Sequence, residues 1–142
     1  MLGTEKTEGT YAELLGLKML YNADKEEVEE ALQLFLQEHN LTIDDIDVVC
    51  LGMNGQQKKD AIYTDLQQTI FKNSNLTYFK HLCGEYKTAT SFALWTVAQL
   101  LKKQEIPAIL KYRTFEISEI KNVLVYNKYA EANHSMLLVR KA

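Results

Sequence analysis

Cys83 is followed by Gly84 and then by a stretch that reads as a helix, a setting in which a thiol can be held as a nucleophilic thiolate. Lys80 stands just before it and Glu85 just after, so a cation, a thiol and a carboxylate crowd into one short segment. A nucleophile also needs a base, and none is close in sequence. His81 adjoins Lys80, His39 ends a helical stretch, and His134 lies near the C-terminus. Cys83 is therefore expected to be unreactive, and Cys50, set in the apolar run Val48-Val49-Cys50-Leu51, is expected to be core. A second polar locus is Gly52-Met53-Asn54-Gly55 with Asp60 beyond, where the Asn54 amide can donate as well as accept. The histidine and cysteine spacings match no zinc pattern, and there is no phosphate-cradling glycine loop or Gly-x-Ser-x-Gly elbow. No metal and no cofactor is expected.

These residues must be positioned by regular elements, and the apolar pattern supplies them. Tyr11 to Tyr21 is compatible with a strand. Asn22-Ala23-Asp24 offers a turn and an N-cap, and Glu26 and Glu27 favour a helix start. Val28, Ala31, Leu32 and Phe35 then share one face of a helix over Lys25 to His39, with Asn40 at its C′ position. The run Val48 to Leu51 is continuous, as in a strand buried on both faces. Ile62, Leu66 and Ile70 predict a second helix over Lys58 to Lys72, and Leu76 to Phe79 a further strand. A third helix, Glu85 to Gln104, carries apolar groups all round (Phe92, Leu94, Trp95, Val97, Leu100), which predicts burial on most sides by its neighbours or by a partner. After Pro107 come β-rich stretches, of which Val123 to Tyr126 and Met136 to Val139 are the clearest strands. The connection Asn127 to Ser135 allows them to pair antiparallel. Alternating strands and helices predict a three-layer α/β/α domain. Its mixed five-stranded sheet has mostly parallel strands and a C-terminal antiparallel one.

Bulk properties agree with one such domain. The 142 residues suffice for a real core, and 46% hydrophobic with 25% charged content is that of a globular chain. A net charge of -3 and a pI near 5.6 speak against a nucleic-acid or anionic-membrane surface. No apolar run approaches a bilayer span, and the polar start has no signal-peptide core, so the expected location is cytoplasmic. Residues 1–10 are expected to be a flexible leader and residues 11–142 the folded domain.

This order resembles the second half of the thiolase fold, and the loops are similar to those of β-ketoacyl synthases. In that family a strand runs into a His-Gly-Thr loop followed by an Asp; here the strand runs into Gly52-Met53-Asn54-Gly55, with Asp60 beyond. The family's next signature is a Lys, three residues, then Gly-His and a small-residue helix; here Lys80-His81-Leu82-Cys83-Gly84-Glu85 precede Ala89 to Leu94. Its closing glycine-rich loop between two strands matches Asn127 to His134, and its basic C-terminus Arg140-Lys141. The resemblance covers Tyr11 to Ala142 and rests on degenerate motifs in the correct order and spacing.

The resemblance implies a decarboxylative condensation on acyl thioesters. That reaction uses a cysteine nucleophile, two histidines that polarise the malonyl thioester, and backbone amides that hold the oxyanion. The nucleophile belongs to the N-terminal half, which this sequence does not contain. The first histidine position is Asn54, whose amide could still donate, or which could simply form a turn before Gly55. The second is Glu85, which when ionised only accepts hydrogen bonds. It either stays protonated by burial or is a first-turn helix residue paired with Lys80. Lys80, Gly84 and Asp60 are supporting positions. The former oxyanion loop is Tyr129, Ala130, Glu131 and Ala132, where side chains replace glycines and Ala130 replaces a gating Phe. Three readings follow. The chain is a non-catalytic half, similar in logic to a chain-length factor; it is part of an active acyltransferase whose Cys lies in an N-terminal half; or it is a free-standing module that self-dimerises. The expected partners are an N-terminal thiolase-like half or a ketosynthase, an acyl carrier protein, and a second subunit in a homodimer or heterodimer.

Overall fold

A computed structural model describes residues 3–142; Met1 and Leu2, the start of the expected leader, lie outside the described residues. Residues 3–10 enter no helix or strand. The elements then run β1 (Ala12–Tyr21), α1 (Lys25–Glu38), β2 (Val48–Leu51), α2 (Gln57–Gln68), β3 (Asn75–Tyr78), α3 (Lys80–Cys83), α4 (Ala89–Lys103), β4 (Lys111–Arg113), β5 (Asn122–Tyr129) and β6 (Asn133–Lys141).

Local chemistry accounts for their ends. The Asp24 carboxylate accepts from the Glu27 N–H at 2.9 Å, and the Glu27 carboxylate accepts from the Asp24 N–H at 2.9 Å, a reciprocal cap on α1. Asn40 closes that helix in the left-handed region at φ 56. The Leu41 N–H bonds the Leu36 carbonyl and the Asn40 N–H the Gln37 carbonyl, satisfying two orphan acceptors at once.

The six strands lie in the order β1-β6-β5-β2-β3-β4. β2 pairs parallel with β5 and β3, whereas β6 pairs antiparallel with β5 and β1, and β4 with β3. The sheet thus has one strand more than the five expected. The addition is β4, three residues aligned by Leu76↔Arg113 and Thr77↔Lys111, and too short to show a period of its own.

All four residues of β2 are buried because helices cover both faces of the sheet. On one face Val28, Leu32 and Phe35 of α1 and Leu66 of α2 pack on Val49, Leu51, Leu124 and Leu138. On the other, Ala93, Val97 and Leu101 of α4 pack on Val48, Cys50, Val125 and Val139. These layers give the expected α/β/α domain. The helix expected over Glu85 to Gln104 begins only at Ala89, and it is not enclosed on most sides: Trp95 is 59% exposed. The connection expected over Asn127 to Ser135 is also tighter, because Asn127 to Tyr129 extend β5, Asn133 opens β6, and residues 130–132 form the turn. Among the described residues no helix is long and apolar enough to cross a membrane.

Candidate functional site

The central parallel strands β5, β2 and β3 end side by side, and the chain leaves each of them into a short polar loop. Crevices at the carboxyl ends of such strands are where open α/β sheets hold ligands. After β2, Gly52 passes so close to its neighbours that a Cβ there would lie 2.2 Å from Asn127 Oδ1 and 2.9 Å from the Tyr63 hydroxyl. The chain then turns through Gly55 at φ 85. Asp60, in the first turn of α2, fixes the loop: its carboxylate accepts from the Asn54 N–H at 3.1 Å and the Gly55 N–H at 2.8 Å.

After β3, Lys80 to Cys83 make one helical turn, and Gly84 at φ 80 redirects the chain. Glu85 therefore lies in the loop between α3 and α4, not in the first turn of the long helix. Its partner is the expected one. Lys80 Nζ donates to both Glu85 oxygens, at 2.8 and 2.9 Å, and to the Lys128 carbonyl at the end of β5, at 3.0 Å. The Lys80 side chain is 1% exposed and that of Glu85 26%. Burial pulls the Lys80 ammonium below its ordinary range, and the Glu85 carboxylate beside it works in the opposite direction.

Asn54 reaches the same carboxylate, Nδ2 donating to Glu85 Oε2 at 2.8 Å, while its Oδ1 accepts from the Gln56 N–H at 2.9 Å. Asn54 thus shapes the turn through its oxygen and spends its amide nitrogen on Glu85. The structure brings Asn54, Asp60, Lys80 and Glu85 into one network that joins the ends of three strands. Every hydrogen bond recorded at Glu85 uses it as an acceptor, and the two side-chain donors nearby, Lys80 Nζ and Asn54 Nδ2, both point at it.

The turn over residues 130–132, where a former oxyanion loop was expected, stands apart from this network. Ala130 takes the left-handed conformation at φ 53, which a glycine would adopt more readily, and the Ala132 carbonyl accepts from the Asn22 N–H at 2.7 Å, tying the turn to the end of β1. Only Lys128, just before the turn, touches the cluster, and it does so through its carbonyl.

Sequence reasoning missed two participants. Tyr63 is buried on α2, and its hydroxyl accepts from the Lys128 N–H at 2.7 Å; burial pushes that phenol well above its ordinary range. Its signal was its place one turn after Asp60 on the inward face. Asn127 donates to the Thr90 hydroxyl at 3.0 Å and keeps a buried Oδ1 without a partner, and nothing in its sequence context marks it.

The remaining candidates lie elsewhere. Burial raises the Cys83 thiol above its ordinary range, which opposes reactivity, and the Cys50 thiol is pushed up to about 12. A ring nitrogen of His81 lies 2.9 Å from the Ile109 carbonyl, and His134 Nδ1 lies 2.8 Å from the Tyr126 hydroxyl. Among the described residues no three His, Cys, Asp or Glu side chains gather as metal ligands. A cleft of about 610 Å³ opens at the opposite, amino ends of β2 and β3, beside Asp47 and Asn75.

No protein-family model and no curated protein matches this sequence. Solved structures do match. A chain of a type II polyketide synthase complex, in which an acyl-carrier protein is bound to its ketosynthase carrying the hexaketide, aligns with TM-score 0.72 and 14% identity over 93% of this chain and 39% of that one. A β-ketoacyl synthase from Burkholderia phymatum STM815 aligns with TM-score 0.64 and 14% identity over 93% of this chain and 38% of that one. This chain spans about two fifths of the length of either. At that identity the likeness is one of architecture, and the architecture is that of a single thiolase-like half of a ketosynthase.

Proposed function

We propose that this chain is the C-terminal-type half of a ketosynthase-like protein of fatty-acid or polyketide-type biosynthesis. In this reading it performs no condensation by itself and serves a structural or partner role. The observation that carries the reading is the occupation of the loop ends by Glu85, with both nearby donors turned onto it. A decarboxylating site must deliver those donors to a thioester oxygen as charge builds there, and a carboxylate in that place repels the same charge. The degenerate turn at Tyr129 to Ala132 supports the reading independently. An acyl carrier protein is the natural macromolecular partner, because one structural neighbour is a ketosynthase in complex with its acyl-carrier protein.

The test is release of carbon dioxide from malonyl-loaded acyl carrier protein, measured for this chain and for the longest native polypeptide containing it, with Glu85→Gln in parallel. The expected result is background release in every sample together with saturable binding of the carrier. Release at a ketosynthase-like rate that falls in Glu85→Gln would show an active site and overturn the proposal.

A further inference from the structure

Asn54 is the only asparagine in the sequence that is followed by a glycine. That pair carries a chemistry of its own. The backbone nitrogen of Gly55 can attack the side-chain carbonyl carbon of Asn54, because a residue without a Cβ leaves the approach open. A bond forms between Gly55 N and Asn54 Cγ, the Cγ–Nδ2 bond breaks, and the Gly55 amide proton departs with the side-chain nitrogen as ammonia. The product is a five-membered succinimide. Water then adds to either of its two carbonyl carbons and opens the ring to aspartate or isoaspartate.

The surroundings of the pair decide whether the reaction runs. Gly55 is exposed, and a Cβ built on it meets nothing within 4 Å, so both water and the ring have room. The reacting atoms themselves are held. The Gly55 N–H donates to Asp60 Oδ2 at 2.8 Å, which keeps the proton on the nitrogen and sets a carboxylate against negative charge building there. The Asn54 N–H donates to the other oxygen of the same buried group at 3.1 Å. The Asn54 amide is pinned at both ends, its oxygen by the Gln56 N–H at 2.9 Å and its nitrogen by Glu85 Oε2 at 2.8 Å. Held at two points, it cannot turn its face to the neighbouring nitrogen without breaking one of them. Glu85 is fixed in turn by the buried Lys80 ammonium.

We propose that Asn54 is a latent self-modification site. The Lys80, Glu85 and Asp60 network locks a succinimide-forming pair, and opening of the network converts Asn54, once and irreversibly, into an acidic residue. Irreversibility follows from the product. A carboxylate formed at position 54 would face Glu85 Oε2 where an N–H donor now stands 2.8 Å away, and like charges that close repel. Isoaspartate also adds a carbon to the backbone and draws the Gly55 N–H out of register with Asp60. In either product the closed network does not re-form, so one covalent change records that the loop ends after β2 and β3 have been open. The inference rests on the geometry of the cluster and holds whether or not the chain takes part in condensation.

Wild type, Glu85→Gln and Val97→Ala are held at mildly alkaline pH, folded and in urea. Position 54 is followed by peptide mass mapping and by labelling with isoaspartyl methyltransferase. Glu85→Gln leaves one acceptor oxygen for the donors of Lys80 and Asn54, whereas Val97→Ala loosens the core under α4 without touching the loop. Folded wild type should convert at least about tenfold more slowly than the chain in urea. Folded Glu85→Gln should convert about tenfold faster than folded wild type, the factor that one charge-assisted hydrogen bond contributes to holding the network closed. Val97→Ala, folded by circular dichroism, should track the wild type. Equal rates in folded and unfolded wild type overturn the inference. So does a Glu85→Gln rate no higher than wild type, or a Val97→Ala rate equal to it, which would trace conversion to global unfolding. Asn54→Asp, the product made directly, should melt below both wild type and Asn54→Ser; a product as stable as wild type overturns the one-way step. Should Glu85→Gln unfold, Glu85→Asp, which keeps the charge for Lys80 and draws back from Asn54, carries the same comparison.

Discussion

Removing the Glu85 carboxylate should strand the Lys80 ammonium, and the loss can be sized from the geometry. Lys80 Nζ has three recorded acceptor contacts, two of them to Glu85, and its side chain is 1% exposed. Breaking a fully buried ion pair costs about 3–5 kcal/mol. Glu85 keeps 26% of its side-chain surface, so water can reach part of the gap. For Glu85→Ala we expect a loss of roughly 2–3 kcal/mol at neutral pH, a urea midpoint lower by about 1 M. The pH dependence separates this cause from simple loss of packing. Burial already lowers the Lys80 pKa from 10.5, while Glu85 opposes that shift; without Glu85 the folded-state value falls further. Between the folded-state pKa and 10.5 the unfolded chain binds the extra proton, so stability rises with pH across that window. The window is wider in the variant. The deficit of Glu85→Ala should therefore shrink as pH is raised from about 7 to 10, the ammonium being released instead of left unpaired. Lys80→Met with Glu85→Leu, which removes both charges, should recover most of the wild-type stability. A deficit below about 1 kcal/mol, a deficit unchanged at alkaline pH, or a double variant as unstable as the sum of its parts would refute the reasoning.

Gly52→Ala should destabilise by about 2 kcal/mol or more, because its Cβ would enter the space of Asn127 Oδ1 and the Tyr63 hydroxyl; an unchanged melting temperature would count against that packing. His134 is buried with its Nε2 unpartnered, and burial, helped by Lys128, lowers its pKa below 6.5. The unfolded chain therefore takes up the proton first, and stability should fall as pH drops through 6.5. Chemical denaturation of His134→Gln at about pH 7 and pH 5 should show a flatter profile than the wild type. Iodoacetamide at mildly alkaline pH should modify Cys83 more slowly than a free thiol and leave Cys50, with a pKa of about 12, untouched until urea unfolds the chain. Rapid labelling of Cys50 in the native protein would contradict its place in the core.

The residues that declared the fold are those whose environment leaves a periodic or chemical mark. Val48 to Leu51 read as a doubly buried strand because helices cover both of its faces, and Asp24 and Asn40 marked the ends of α1 because capping needs their side chain or their backbone freedom. β4 left no mark, since three residues cannot show an alternation. The start of α4 was misplaced by four residues because Gly84 and the following polar loop break the helix before its apolar pattern begins at Ala89. In the site, the pairing of Lys80 with Glu85 was legible from charge and proximity in sequence. The third anchor was not, because Lys128 meets Lys80 through its backbone carbonyl and the Tyr63 hydroxyl through its backbone amide, groups that every residue carries.

The same geometry explains why such a site would stay as it is. Lys80 is held by two oxygens of Glu85 and one carbonyl, and Asn54 spends its amide nitrogen on that carboxylate and its oxygen on the Gln56 N–H. Placing an imidazole at position 85 would leave the ammonium with only the Lys128 carbonyl and would take from Asn54 the acceptor it now uses. Replacing Glu85 alone therefore passes through an uncompensated buried charge. Mutual satisfaction, more than the identity of any one residue, is what holds these loop ends together.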